Sequence, residues 1–385
     1  MELRRNVLLI SSMMFNLING AVLVVFPLYL LSITANDYLI AALVTGLPLS
    51  AQVLGNYVWG RISDNLHTRK KPAIVGCFAG SLLFLLLPFA SAVSFVVIRT
   101  FQSLLLSSQI LLQNLVSDTT DNKGRELGTL NIFANIGVVA GTLSFLFLLP
   151  SDSLTFEYIS LFSIALTLCG LIGTFFLCFS KDVKFESGNH VLGKHTKNKT
   201  ILILFTVTAV LMWANYTVFS LFPVYISIFH VNIFNFDLTG VKLVALFIGS
   251  SSLFGIPGSY VAGYLTDRKN KKVIIAVSIV IYATIWILLS MVSDVVIIYI
   301  IWVLPVWLFF VLPATALASE SVVLDERGRA IGLINAGIGL GALLGSYTAG
   351  TLVSHFSFSF AYICAGLIAL LALIPLYKVD SPRRG

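Results

Sequence analysis

Arg99, Gln102, Ser103, Gln109, Gln113 and Ser117 fall within an arc of about 80° if residues 94–117 form one helix. One guanidinium with amides and hydroxyls in a single stripe can hold a solute by hydrogen bonds. Arg99 adds a fixed positive charge able to pair with an anion. A polar stripe of this length is too costly to face hydrocarbon, so it must face protein or water. A second set joins carboxylates to bases. Gly60-Arg-Ile-Ser-Asp64-Asn-Leu-His-Thr-Arg69-Lys70-Lys71 recurs as Gly263-Tyr-Leu-Thr-Asp267-Arg268-Lys269-Asn-Lys271-Lys272, 203 positions later. Covalent and metal chemistry find no support. The histidines (67, 190, 195, 230 and 355) fall in loops or at helix ends, and no Ser/His/Asp set or metal spacing is present. Cys77, Cys169, Cys178 and Cys364 sit in apolar runs as inert thiols. An enzyme is not expected, nor is any cofactor.

The elements that must position these residues are membrane helices. Only 11% of the residues are charged and 58% are hydrophobic, which excludes an ordinary soluble domain. Apolar runs of about 20 residues, enough to cross a bilayer, recur along the chain. They cover 7–32, 38–60, 73–92, 94–117, 126–149, 156–180, 200–228, 238–265, 273–292, 295–320, 328–354 and 357–377. The short connections make neighbouring helices antiparallel. The net charge of +7 suggests a nucleic-acid partner, but its distribution rules that out. Of 24 Lys and Arg, 22 lie at the termini or on alternate loops; the opposite loops hold only Lys242 among bases. Positive loops stay in the cytoplasm, so both termini are expected there. A cell-membrane location is expected, with the lipid bilayer as surroundings and the chain as a monomer.

The chain is also an internal duplication. Asp121-Asn-Lys-Gly124-Arg125-Glu-Leu-Gly128-Thr-Leu-Asn131 matches Asp325-Glu-Arg-Gly328-Arg329-Ala-Ile-Gly332-Leu-Ile-Asn335, and Phe26-Pro27-Leu-Tyr29 matches Phe222-Pro223-Val-Tyr225. The expected organisation is residues 1–180 as one six-helix bundle, 181–199 as a polar cytoplasmic linker, and 200–385 as the second bundle. Duplicated halves in a membrane protein point to a transporter with its solute site near the repeat interface.

The basic loop resembles the hallmark of the major facilitator superfamily, Gly-x-x-x-Asp-(Arg/Lys)-x-Gly-(Arg/Lys)-(Arg/Lys), found after helices 2 and 8. The second copy fits through Gly263, Asp267, Arg268, Lys271 and Lys272. The first keeps Gly60, Asp64, Arg69 and Lys70, but has Asn65 and His67 where a base and a glycine are usual. Arg99-Thr-Phe-Gln102-Ser103 resembles the superfamily's helix 4 pattern Arg-x-x-Gln-Gly, with serine for the glycine. The resemblance implies an all-α fold of twelve transmembrane helices in two pseudo-symmetric halves, with helices 1, 4, 7 and 10 lining a central cavity. Candidate cavity residues are then Asn16, Asn19, Arg99, Gln102, Gln109, Gln113, Trp213, Tyr216 and Trp302. Helices 5 and 11 share a glycine pattern, Gly128/Gly137/Gly141 and Gly332/Gly341/Gly345. It resembles part of a proton-antiporter motif, but Thr142 replaces its proline, and close helix packing explains the glycines equally well.

The aspartates suggest a latch. A carboxylate beside a helix N-terminus gains about 0.3–1 kcal/mol from unpaired N–H groups, and up to ~2 when partly buried. Asp64 is expected to serve helix 11 and Asp267 helix 5, with Arg125 and Arg329 as charge partners. Gly60 and Gly263 would let the helices approach closely, and Arg69 and Arg268 complete the set. The implied function is gradient-driven transport of a small organic solute by alternating access, with efflux of an amphipathic compound favoured. Uptake or exchange of a metabolite, an anion paired with Arg99 among them, is the alternative; a transporter-derived sensor is the rival from another class. Every Asp and Glu falls in a loop or near a helix end, which argues against a deep proton carrier.

Overall fold

The computed structural model of the chain describes residues 2–119, 123–148, 154–180, 199–233, 236–322 and 327–379. Its helices match the twelve apolar runs: α1 (Glu2–Ile33), α2 (Tyr38–Asn65), α3 (Lys70–Leu82, then a 3-10 turn Leu83–Phe89) and α4 (Ala92–Leu106, a 3-10 turn Ser107–Gln109, then Ile110–Thr119). Next come α5 (Lys123–Leu148), α6 (Phe156–Cys178), α7 (Lys199–Phe219 and Phe222–Ser227), α8 (Gly240–Arg268) and α9 (Lys271–Met291). The last are α10 (Val295–Trp302 and Leu308–Glu320), α11 (Arg327–His355) and α12 (Phe358–Leu371 and Leu373–Tyr377). Among the described residues, 10 helices are long and apolar enough to cross a membrane; Gly128–Ser144 in α5 and Leu308–Glu320 in α10 are shorter apolar pieces.

One element was not expected. Strands β1 (His230–Ile233) and β2 (Phe236–Thr239) pair antiparallel between α7 and α8, with His230 opposite Thr239. The helical run expected from residue 238 therefore begins two residues later. Gly240 makes the turn with φ of 49°, a left-handed value that glycine adopts without Cβ strain.

The chain forms two compact units. The first contains α1, α2 from Ala51 onward, α3 to α6, the hairpin, and α8 up to Ser252. Inside it, α5 lies directly on α1. A Cβ at Gly137 would collide with Met13 O, one at Gly141 with Leu17 O, and one at Gly20 with Val138 O. The second unit contains Asp37–Ser50 of α2, α7, the rest of α8, and α9 to α12. Here α11 lies on α7 in the same way: a Cβ at Gly341 would meet Ala209 O at 2.6 Å, and one at Gly345 would meet Trp213 O at 2.6 Å. The matched glycine triplets thus serve backbone-to-backbone packing at their second and third members. Gly128 and Gly332, the first members, have no such neighbour within 4 Å.

Helix ends are satisfied by charge. Asp37 accepts from the N–H groups of Leu39 and Ile40 (3.0 and 3.2 Å), and Asp294 from those of Val296 and Ile297 (2.8 and 3.1 Å). Both acids, read from sequence only as loop charges, are N-caps. The lysines show the reciprocal arrangement. Lys70 Nζ donates to Cys178 O and Ser180 O at the end of α6 (2.6 and 2.7 Å). Lys272 Nζ donates to Tyr377 O and Val379 O at the end of α12 (2.9 and 2.5 Å). The basic loops are therefore more than topology signals: in each repeat one lysine ties the third helix to the last carbonyls of the sixth. Lys70→Met and Lys272→Met should each lower stability by about 1–2 kcal/mol. The losses should add, because the two contacts share no partner. A double variant that melts in detergent at the wild-type temperature would show that the ties contribute nothing.

Candidate functional site

The polar stripe of α4 is not one continuous face. A 3-10 turn advances about 120° per residue against about 100° in an α-helix, so Ser107–Gln109 rotates the phase of Ile110–Thr119. Arg99, Gln102 and Ser103 are buried, Gln109 is half-buried and Gln113 is exposed. Arg99 Nη1 donates to Gln102 Oε1 (3.1 Å) and Ser103 Oγ (2.8 Å), while Gln102 Nε2 donates to Gly80 O on α3 (3.3 Å). Arg99 Nε is buried without a partner, and the Phe26 ring centroid lies 6.0 Å from the guanidinium. Among the described residues no carboxylate pairs with this cation. An unpaired arginine in a membrane span costs at least ~2.5–3.5 kcal/mol, so its neutral cage offsets only part of the burial.

The serines of the turn pack closely into the neighbouring helices. Ser107 packs where a Cβ on Gly55 of α2 would stand, and Ser108 where one on Gly76 of α3 would stand. Leu104 O, at the break, accepts from Trp59 Nε1 (2.8 Å) and Ser107 Oγ (2.7 Å). On α1, Asn16 and Asn19 are half-buried, and Asn16 Nδ2 donates to Ser12 O (2.9 Å).

In the second unit, Trp213 and Tyr216 are half-buried on α7, and Trp213 Nε1 donates to Thr348 Oγ1 of α11 (2.9 Å). Trp302 on α10 is buried beside two phenylalanine rings. Phe222 stacks on it at 3.3 Å between centroids and 3°, and Phe219 at 6.0 Å and 12°. This stacking commits the ring to packing. Only its edge keeps a hydrogen-bonding group.

The basic-loop residues take local partners. Arg69 pairs with Asp64 in its own loop and also donates to Ser63 Oγ (3.0 Å). Arg268 stacks its guanidinium 4.3 Å from the Tyr264 ring. Asp267 and Arg329 are exposed. The side chain of Arg125 and the segment 181–198 lie outside the described residues. Among the described residues, a Cβ at Gly60 or Gly263 would meet nothing within 4 Å. Sequence reasoning missed the Lys271–Glu320 pair (2.9 Å), which joins α9 to α10. It also missed Trp59 and Trp286, single aromatics with no repeat partner to mark them.

An all-α chain with membrane-long helices, duplicated loop motifs and polar groups inside its spans has the construction of a membrane transporter. The chain belongs to the Major Facilitator Superfamily, whose family profile matches residues 8–323 and 308–385. Sugar efflux transporter B of Salmonella typhimurium (strain LT2) is 26% identical over 246 residues, covering 61% of this chain and 59% of the relative. This chain thus covers less than two thirds of that relative's length. The fold matches the nucleoside transporter NupG with a TM-score of 0.78 at 16% identity, over 99% of this chain and 100% of that one. It matches a D-xylose-proton symporter at 0.76 and 14% identity, over 98% of both chains. Family and fold are those of transporters rather than enzymes.

In a variant lacking the native cysteines, Gln113→Cys should react readily with a water-soluble thiol reagent and Gln109→Cys more slowly. Gln102→Cys, sealed against Gly80, should stay protected. Equal labelling at 102 and 113 would show that the turn in α4 does not divide the stripe.

Proposed function

We propose that this transporter exports a small neutral polyhydroxylated solute of the sugar class, driven by gradients through alternating access. The observation that carries the reading is the chemistry of α1 and α4. Away from their ends, and apart from Arg99, their polar side chains are amides and hydroxyls, and among the described residues every Asp and Glu lies in a loop, in the hairpin or near a helix end. Amides both donate and accept, as sugar hydroxyls do, whereas cationic solutes call for embedded carboxylates. The relative named as a sugar efflux transporter supports both substrate class and direction. Asn16, Asn19, Gln109 and Gln113, with Trp213 and Tyr216, are the proposed solute contacts; Arg99 and Gln102 position the α4 face.

The domain reading stays two six-helix halves, 1–180 and 200–385, joined by a linker at 181–199. The chain acts as a monomer in the cell membrane with cytoplasmic termini. Asp64, Asp267, Arg125 and Arg329, with Arg69, Arg268, Gly60 and Gly263, form a latch when the cytoplasmic side is shut. A second reading, an anionic solute, is favoured by the unpartnered Nε of Arg99.

Purified protein in liposomes loaded with labelled D-glucose, D-xylose or lactose should release at least one of them faster than empty liposomes do. Release of an anionic sugar phosphate but of no neutral sugar would overturn the reading in favour of the second. Asp64→Asn with Asp267→Asn should slow release at least several-fold and leave solute affinity unchanged. Wild-type rates in that double variant would remove the latch.

A further inference from the structure

The cage around Arg99 leaves one edge of the guanidinium unspent. Arg99 is the eighth residue of α4, yet it does not reach back to the helix end as a snorkelling arginine does. Its Nη1 donates instead to Gln102 Oε1 and Ser103 Oγ, one turn further along. Those bonds leave the other edge, Nε–H with Nη2–H, without a partner among the described residues. That edge carries two nearly parallel donors, the geometry that takes an acceptor side-on.

A second unpaired group lies at the same depth. Ser163 is the eighth residue of α6, which runs in the same direction as α4, and its Oγ is buried with no partner. Both helices pack on the 3-10 turn of α3, Leu83–Phe89, in which Phe84 and Leu87 are fully buried. Phe162, beside Ser163, places its ring 5.9 Å from Phe26, the ring that the guanidinium faces at 6.0 Å. Phe95 meets Phe26 edge-on at 4.9 Å. All of these residues belong to the first unit. The free edge of Arg99 thus lies among phenylalanine rings, with one idle hydroxyl near by and no carboxylate paired to it among the described residues.

We propose that a monovalent halide, chloride in the cell, is the resident counter-ion of Arg99, held by Nε–H, Nη2–H and the hydroxyl of Ser163. Three donors and a fixed positive charge select an anion and reject a metal cation. Desolvation grows with the square of the charge, which disfavours sulfate and phosphate in a buried site. An organic anion would bring a carbon skeleton into a space enclosed by Phe26, Phe95 and Phe162. A bare halide needs no such room. The ion neutralises α4 at the level where Gln102 Nε2 fixes it to Gly80 O of α3 (3.3 Å). The polar face of α4 is then held without an uncompensated charge beside the route of a neutral solute. The site does not depend on the sugar reading above.

The test uses the purified full-length protein in detergent, dialysed into sodium gluconate. Replacing the gluconate with about 100 mM chloride or bromide at constant ionic strength should raise the melting temperature by at least about 2 °C. Sulfate should not. Radiolabelled chloride should bind the wild type, and Arg99→Gln should abolish both the binding and the rise. Ser163→Ala should weaken labelled chloride about 10-fold, and it serves if Arg99→Gln fails to fold. A hydroxyl that is only buried would leave the chloride affinity unchanged on removal. No binding of the label, an equal rise with sulfate, a full rise kept in Arg99→Gln, or wild-type affinity in Ser163→Ala overturns the site. Displacement of the label by a sugar phosphate also overturns it, because Arg99 then lies on the path of an anionic solute.

Discussion

A backbone amide inside a bilayer has no water to turn to, and this constraint governs the arrangement of the helices. Unbroken helices satisfy themselves; every interruption needs a local substitute. At the α4 turn, Trp59 and Ser107 supply donors to Leu104 O. At the break in α7, Ser220 Oγ and Ser220 N both return to Tyr216 O (2.7 and 3.3 Å), and the next piece opens with Phe222-Pro223, where a missing N–H leaves nothing unpaired. The same economy explains the glycines. Where α5 lies on α1 and α11 on α7, backbone meets backbone, and dispersion between close main chains replaces the hydrophobic drive that lipid cannot provide.

At helix ends the constraint is met by charge. Carboxylates of Asp37 and Asp294 take the first N–H groups, and lysines 70 and 272 take the last carbonyls of α6 and α12. The basic loop is therefore a structural fastening as well as a signal of membrane orientation. Arg69 holds Asp64 within that loop, which keeps the carboxylate oriented without committing it to a distant helix. Arg99 stands apart: it is a buried cation held by an amide and a hydroxyl rather than by an acid.

Much of the fold was legible because bilayer crossing imposes length and polarity on the sequence. The duplicated motifs revealed the repeat, and the glycine triplets revealed the packing of α5 and α11. The site was less legible. The stripe on α4 was read at a constant 100° per residue, and nothing in Ser107-Ser108-Gln109 announces a 3-10 turn; the turn packs against glycines 55 and 76 on other helices. Trp302 looked like a stacking surface, yet which ring faces remain open depends on Phe219 and Phe222 from a helix 80 positions away. The lysine ties were hidden for the same reason: a carbonyl at the end of α6 leaves no mark in the sequence. The β-hairpin was missed because His230–Thr239 continues an apolar neighbourhood without a turn dipeptide to flag it.

Duplication gives two repeats the same backbone problem but does not oblige them to solve it alike. Gly55 and Gly258 each face an interrupted helix, but the interruptions fall at different repeat positions, 107–109 and 303–307. Around the first, a tryptophan from a neighbouring helix closes the gap, and the helix becomes a fixed wall. Around the second, the tryptophan lies on the interrupted helix itself, stacked on Phe219 and Phe222 with its N–H buried and unpaired. A symmetric scaffold cannot by itself recognise an asymmetric solute, since equivalent positions would offer equivalent groups. Recognition must come from places where the repeats diverge. Trp59 against Ala262 is such a divergence, beside the interrupted helix in each repeat.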